Sequence, residues 1–272
     1  MGRTMKAVDL LQAVLDIAVE AGRRIMDIHG SADVGITEKA DHSPLTRADM
    51  AAHQYIANAL ATLTPTIPLL SEEDADIDFA VRRLWSRYWL VDPLDGTKEF
   101  IGGSADFTVN IALIEDGYPV LGVIVAPALG LQYFAAQGGG AFQIRDGRLS
   151  VLHTRPVPAR PVYVVSRSHR NPELEAFLAA APDHEARSRG SSLKFCQIAS
   201  GEADLYPRTG PTSEWDTAAG QCIAEQAGAL VLRLPDLSRL RYNQKASLLN
   251  PLFAVIGDSD HDWKPLLATI TA

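Results

Sequence analysis

Three short segments hold the residues of this chain whose types and spacing could do chemistry. Ser71-Glu72-Glu73-Asp74 follows one apolar run, and Asp92-Pro93-Leu94-Asp95-Gly96-Thr97 follows another. Ser213-Glu214-Trp215-Asp216-Thr217 opens a stretch with helical character. Packing of apolar runs draws such strand-end carboxylates together, and like charges repel unless protons or cations neutralise them. All-oxygen donors suit a hard cation, and Mg²⁺ is the natural one where a substrate phosphate completes the shell. Pro93 fixes φ and predicts a turn directly after Asp92. Gly96 permits a backbone conformation closed to other residues. The Leu94 carbonyl can then face a metal beside Asp92 and Asp95, and the amides of Gly96 and Thr97 can meet a phosphate oxygen. Singly, the segments have plain structural readings: a surface turn, a solvated acidic patch, a favourable charge at a helix N-terminus. Together, each at the end of an apolar element, they point to one metal-dependent site.

The elements that must position these residues can be read from periodicity. Val8, Leu11, Leu15, Ala18, Gly22 and Ile25 step by three and four, which predicts a first helix over 5–29 with that stripe buried. The polar stretch 31–46 reads as a loop. A second helix is predicted over 46–63, with Thr46 as N-cap and Asp49 three residues on in a capping box. Strands are predicted at 67–70, 88–91, 107–115, 119–126 and 130–136, with hairpin signals at Asp116-Gly117 and Asp146-Gly147. The first half therefore reads as two helices on an antiparallel sheet. Three prolines in 155–161 mark a candidate boundary, giving halves of 1–155 and 156–272. Beyond it, strands at 162–166, 203–206, 229–232 and 253–256 alternate with helices at 172–180, 192–200, 214–227 and from 263, an α/β pattern.

The chain has 272 residues, 25 Lys+Arg against 33 Asp+Glu, and a net charge of −8. Its 47% hydrophobic content is that of a globular protein, which excludes a disordered or fibrous chain. No run of 18 apolar residues occurs, so no transmembrane helix is expected. The start does not read as a signal peptide, and two cysteines cannot make a disulfide framework, so a cytoplasmic setting is expected. A peripheral position at the inner face of the cell membrane and the oligomeric state are left open. The acidic balance argues against polymeric nucleic acid as partner. It does not argue against a small phosphorylated substrate, because two divalent ions would neutralise four of those charges at one site. Cys196 and Cys222 fall on apolar helix faces and read as core.

Trp89-Leu90-Val91-Asp92-Pro93-Leu94-Asp95-Gly96-Thr97-Lys98-Glu99-Phe100 resembles the central signature of the inositol monophosphatase superfamily. Ser71-Glu72-Glu73-Asp74 is similar to its upstream metal motif, and Trp215-Asp216-Thr217-Ala218-Ala219-Gly220 to its C-terminal one. The resemblance spans nearly the whole chain and implies a layered α-β-α-β-α sandwich. Within the superfamily, 88–101, 107–114, Ser166-Arg167-Ser168-His169, 190–196 and Leu205-Tyr206-Pro207-Arg208 most resemble the bacterial 3′(2′),5′-bisphosphate nucleotidases.

That resemblance implies roles. Glu72, Asp92, the Leu94 carbonyl, Asp95 and Asp216 would hold Mg²⁺, two ions or three, with Asp92 bridging two. Glu72 and Thr97 would orient the attacking water, and Asp49 would bond Thr97 from behind. The Gly96 and Thr97 amides would contact the reacting phosphate, beside Leu94, Asp95 and Asp216. His169, Ser191, Lys194 and Arg208 would bind the rest of the nucleotide. In one departure, an aspartate carried by many relatives is matched here by Ser43, so its role passes to Asp41 or is absent. The implied reaction is hydrolysis of the 3′-phosphate of adenosine 3′,5′-bisphosphate (PAP) to AMP and phosphate. Its sulfated parent PAPS would be a related substrate, and Li⁺ would compete for a magnesium position. Two magnesium ions roughly 4 Å apart could lower the pKa of a water and stabilise the leaving oxygen. The alternatives are a phosphatase acting on inositol monophosphate or another sugar phosphate, and a non-catalytic metal- or nucleotide-binding protein.

Overall fold

The computed structural model describes residues 5–31, 34–38, 44–168 and 170–270. Helix α1 (Ala7–Ile28) is followed by the short pair β1 (Thr37–Glu38) and β2 (Pro44–Leu45), then by α2 (Arg47–Leu63). The Thr46–Asp49 capping box opens α2 as the sequence pattern predicts. The buried stripe of α1 is shifted from the expected one. Leu10 and Val14 are buried, whereas Val8 is half exposed and only Leu15, Ala18, Gly22 and Ile25 agree.

The first sheet runs β3 (Leu69–Ser71), β4 (Arg87–Asp95), β5 (Thr108–Glu115), β6 (Tyr118–Ala126), β7 (Leu131–Ala136), β8 (Gly140–Arg145) and β9 (Arg148–Val151), in that spatial order. It is antiparallel except for β3, which lies parallel to β4. Two short helices sit between its strands, α3 (Phe79–Arg82) and α4 (Thr97–Ile101). The chain passes to the second sheet through the proline-rich segment between Val151 and Val162. There it forms β10 (Val162–Ser166), α5 (Pro172–Ala180), β11 (Glu185–Arg189), α6 (Leu193–Ala199), β12 (Leu205–Arg208), α7 (Ala218–Gln226), β13 (Leu230–Arg233), β14 (Phe253–Ile256) and α8 (Lys264–Leu267). The strand order is β11-β10-β12-β14-β13, parallel on the β11 side and antiparallel on the β13 side.

Side-chain parity divides the core into three layers. Trp89 and Val91 of β4 face α1 and α2, while Tyr88 and Leu90 face the other way, onto α6 and α7. The same middle layer packs against Val164, Tyr206 and Phe253 of the second sheet. The outer face of that sheet, with Tyr163 and Val165, buries Leu174 of α5 and Leu267 of α8. The result is the expected α-β-α-β-α sandwich. Cys196 and Cys222 are buried in the middle layer as free thiols. Among the described residues, no helix is long and apolar enough to cross a membrane.

Three sequence expectations need correction. Pro93 does not turn the chain after Asp92: β4 continues to Asp95 through a shift of register against β5, and the reversal comes at Gly96. The predicted helix over 214–227 begins as a single tight turn, Glu214–Asp216, before α7. α3, β11 and the β1–β2 pair were not expected; β11 is a sheet-edge strand without apolar alternation, so periodicity could not show it.

Helix α7 approaches the sheet at glycines. A Cβ on Gly122 of β6 would lie 2.4 Å from the Ala219 carbonyl oxygen, and one on Gly220 would lie 2.5 Å from the Phe195 ring. Gly122→Ala is expected to destabilise the fold by about 1–3 kcal/mol through overpacking. The check is a urea titration, in which the midpoint falls while the slope stays constant.

Candidate active site

Strands β3 and β4 bring the first acids together. The Glu72 amide donates to the Val91 carbonyl at 3.0 Å, which sets Glu72 beside Asp92. Asp92 is 1% exposed and shares a hydrogen bond with Glu72. Its Oδ1 accepts from the Leu94 amide at 3.0 Å within the irregular part of β4. Asp95 Oδ2 accepts from the Ser192 amide at 2.6 Å, and Asp216 Oδ2 from the Ser213 amide at 2.9 Å. One oxygen from each of Asp92, Asp95 and Asp216 lies within 4.8 Å of the others.

This crowding shows in the electrostatics. Burial pushes Asp92 well above the usual carboxylate range, and Glu72, Asp95 and Asp216 push it further. Asp216 is raised by burial and then by Asp95 and Glu72. Asp95 rises to about 6 through burial, although Lys194 and the Ser192 amide oppose the shift.

Beside the cluster, Gly96 turns the chain in the left-handed region, with φ +92°, and α4 begins at Thr97. Thr97 Oγ1 lies 3.2 Å from both Asp49 Oδ1 and the Leu94 carbonyl, so its proton has two acceptors. Asp49 does not line the cavity. It sits behind Thr97, where its other oxygen accepts from the Thr46 amide at 2.8 Å and the Thr46 hydroxyl at 2.5 Å. Burial raises its pKa.

A cavity of about 410 Å³ is lined by these residues and by two cations. Lys194 and Arg208 are each 5% exposed and both line it. Lys194 Nζ donates to the Arg189 and Ser191 carbonyls; burial lowers its pKa to about 8, with Arg208 adding to the shift. Arg208 Nη2 donates to the Pro211 carbonyl at 2.6 Å. Its buried Nε and the buried Ser191 hydroxyl have no partner among the described residues. Ser191 also holds a left-handed backbone, φ +45°. Of the residues singled out in the sequence, Glu72, Asp92, Leu94, Asp95, Gly96, Thr97, Ser191, Lys194, Arg208 and Asp216 all line this one cavity. His169, Asp41 and Ser43 lie outside the described residues.

Sequence reasoning missed a buried network around Glu214, two residues before Asp216. Glu214 accepts the Asn243 amide on both carboxylate oxygens at 2.9 Å, and burial raises it to about 7. Asn243 in turn bonds the buried Arg82 of α3, which also donates to the Ala246 carbonyl. Arg82 and Asn243 are 161 positions apart, and neither sits in a recognisable motif, so no local signal pairs them. Asn110 of β5, which approaches Asp95 at 3.4 Å, could have been found as the polar residue in an otherwise apolar strand.

A profile of the inositol monophosphatase family matches residues 7–258. The 3′(2′),5′-bisphosphate nucleotidase CysQ of Salmonella typhimurium is 50% identical over 250 residues, covering 90% of this chain and 99% of that protein. CysQ of Escherichia coli K12 is 48% identical over the same shares. Among solved structures, CysQ from Bacteroides thetaiotaomicron superposes with a TM-score of 0.79 at 42% identity, covering 90% of this chain and 96% of that one. Mycobacterium tuberculosis SuhB gives a TM-score of 0.74 at 26% identity, covering 97% and 96%. Profile, relatives and fold agree, and the chain belongs to the inositol monophosphatase family.

Proposed function

We propose that this chain is a magnesium-dependent 3′(2′),5′-bisphosphate nucleotidase, hydrolysing the 3′-phosphate of PAP to give AMP and phosphate, with PAPS as a related substrate. The observation that carries this reading is that one cavity is lined both by the carboxylate cluster with Thr97 and by two nearly buried cations, Lys194 and Arg208. A substrate with two phosphates can use the metal-binding carboxylates and the cations together, whereas inositol monophosphate has no second phosphate to offer the cations. The half-identity to proteins named as bisphosphate nucleotidases supports the same choice.

The donor set fits magnesium. It consists of carboxylate oxygens and the Leu94 carbonyl, and three of those carboxylates lie close enough together for one cation to reach all of them. Glu72, Asp92, Leu94, Asp95 and Asp216 would hold two ions. When bound, Mg²⁺ supplies positive charge to the reacting phosphoryl oxygens and acidity to water. The chain's own residues do the positioning. Thr97 donates its proton to Asp49 or Leu94, which leaves its oxygen lone pairs to accept from a water. Glu72 is the second acceptor that aims this water at phosphorus. The Gly96 and Thr97 amides orient the 3′-phosphate, and Lys194, Arg208 and Ser191, with His169, hold the rest of the nucleotide. Water oxygen bonds to phosphorus as the bond to the ribose 3′ oxygen breaks, with no phosphoenzyme between. The enzyme is assigned to the cytoplasm, where its two buried thiols stay reduced.

Phosphate release from PAP and from inositol 1-phosphate, measured side by side with and without Mg²⁺, tests the reading. PAP is expected to be the preferred substrate, and only with Mg²⁺. Preference for inositol 1-phosphate would replace this reading with the sugar-phosphatase one, and turnover of neither would leave a binding protein. Asp95→Asn is expected to lower kcat by about 10²-fold or more.

The raised carboxylates also set a pH dependence. A carboxylate whose folded pKa lies above its unfolded value favours folding most when protonated, and that contribution is lost as pH rises through the folded value. For Asp95 the window runs from the ordinary 3.8 to about 6. Mg²⁺ requires the ionised form. The rise in melting temperature on adding Mg²⁺ should therefore be larger at about pH 8 than at about pH 5. A thermal melt at both pH values checks this, and an equal gain at each would contradict it.

A further inference from the structure

Residues 102–107 link α4 to β5, and 102–106 belong to none of the motifs. Within them Asp106 is 3% exposed, yet its carboxylate is fully engaged. Arg167 Nη2 lies 2.5 Å from Oδ2 and Arg189 Nη1 lies 3.3 Å from Oδ1. The Gly190 amide donates to Oδ2 at 3.2 Å. Arg167 also donates to the Ser104 hydroxyl at 2.9 Å, and its neighbour Ser168 donates to Glu99 of α4 at 2.5 Å. The partners of the Asp106 carboxylate come from the second half of the chain: Arg167 follows β10, Arg189 ends β11 and Gly190 leads into α6, while the Asp106 amide donates to the Ser104 hydroxyl beside it. A Cβ on Gly190 would lie 2.7 Å from the Asp106 Cβ, so the two segments meet at a glycine that leaves no room for a side chain.

The segment held this way is the one that places Lys194. The Lys194 ammonium donates to the carbonyls of Arg189 and Ser191, and Arg189 is itself bound by Asp106. We propose that Asp106, with Arg167 and Arg189, forms an ionic clasp between the two sheets that positions Lys194 for the second phosphate of the substrate. Asp106 is thus a positioning residue that sets selectivity for a bisphosphate over a monophosphate. The inference rests on the nucleotidase reading above. One buried carboxylate brings two guanidinium groups together, and a neutral side chain there would leave both cations without their counter-charge. The effect falls mainly on the second phosphate because Lys194 is held by carbonyls of the clasped segment itself, whereas Asp92 to Thr97 stand on β4 and α4 and meet that segment through the Ser192 amide on Asp95.

The test is Asp106→Asn, with kcat and KM measured for PAP and for adenosine 3′-monophosphate, which lacks the 5′-phosphate. For PAP, KM is expected to rise about tenfold with kcat within about twofold; both constants for the monophosphate should stay within about twofold. Selectivity for PAP therefore falls about tenfold. Arg167→Gln, at a half-exposed side chain, is expected to act in the same direction by a smaller factor, and serves if Asp106→Asn does not fold. Equal losses on both substrates, or unchanged selectivity in every variant that folds, would overturn the proposal. A wild-type enzyme with no preference for PAP would refute the nucleotidase reading instead, since the same assay reads it without any substitution.

Discussion

Asp92, Asp95 and Asp216 are held close together; burial drives all three toward protonation, and Asp95 and Asp216 drive Asp92 further, as Asp95 does Asp216. Separated in water, the three would ionise independently near the ordinary aspartate value. The fold prevents the separation. Each carboxylate is oriented through a backbone amide: Leu94 for Asp92, Ser192 for Asp95, Ser213 for Asp216. These three amides lie on three separate segments, so the cluster is only as tight as the packing between them. The repulsion is the cost of a site whose charge is completed from outside, by cations that the substrate phosphate shares.

The shared middle layer makes that packing possible. Helices α6 and α7 are covered on one side by β4–β6 and on the other by β10, β12 and β14. Asp216 lies in the turn before α7, and Lys194 in the first turn of α6. Both helices therefore start at the same edge of the sandwich, next to the end of β4. The close approaches at Gly122, to the sheet, and at Gly220, to Phe195 of α6, stop α7 from sliding between them. A small displacement there would move Asp216 away from Asp92 and relieve the repulsion at the expense of the site.

Much of this was legible before the structure. The acids lie in motifs at element ends, and apolar alternation located most strands of both sheets. Element parity and spacing could not show β11, which is a polar edge strand, or α3, which is a single turn. Proline in Asp92-Pro93 suggested a turn because its usual local preference was applied without the pairing of β4 with β5; tertiary pairing carried the strand through it as an irregularity. The network around Glu214 was invisible for a different reason. Arg82, Glu214 and Asn243 act on one another across the chain, and nothing in a local window links them.

The bond between Arg82 and Asn243 has a bearing on synthesis. Glu72, Asp92 and Asp95 emerge from the ribosome first, whereas Asp216, and Asn243 that bonds Glu214 beside it, come much later. A growing chain therefore carries an incomplete acidic cluster until its last third is made, and long-range closure of this kind is slow to form. The acidic cluster is complete only in the finished sandwich, and any cation that binds the complete cluster and not the partial one would stabilise the full fold over shorter intermediates.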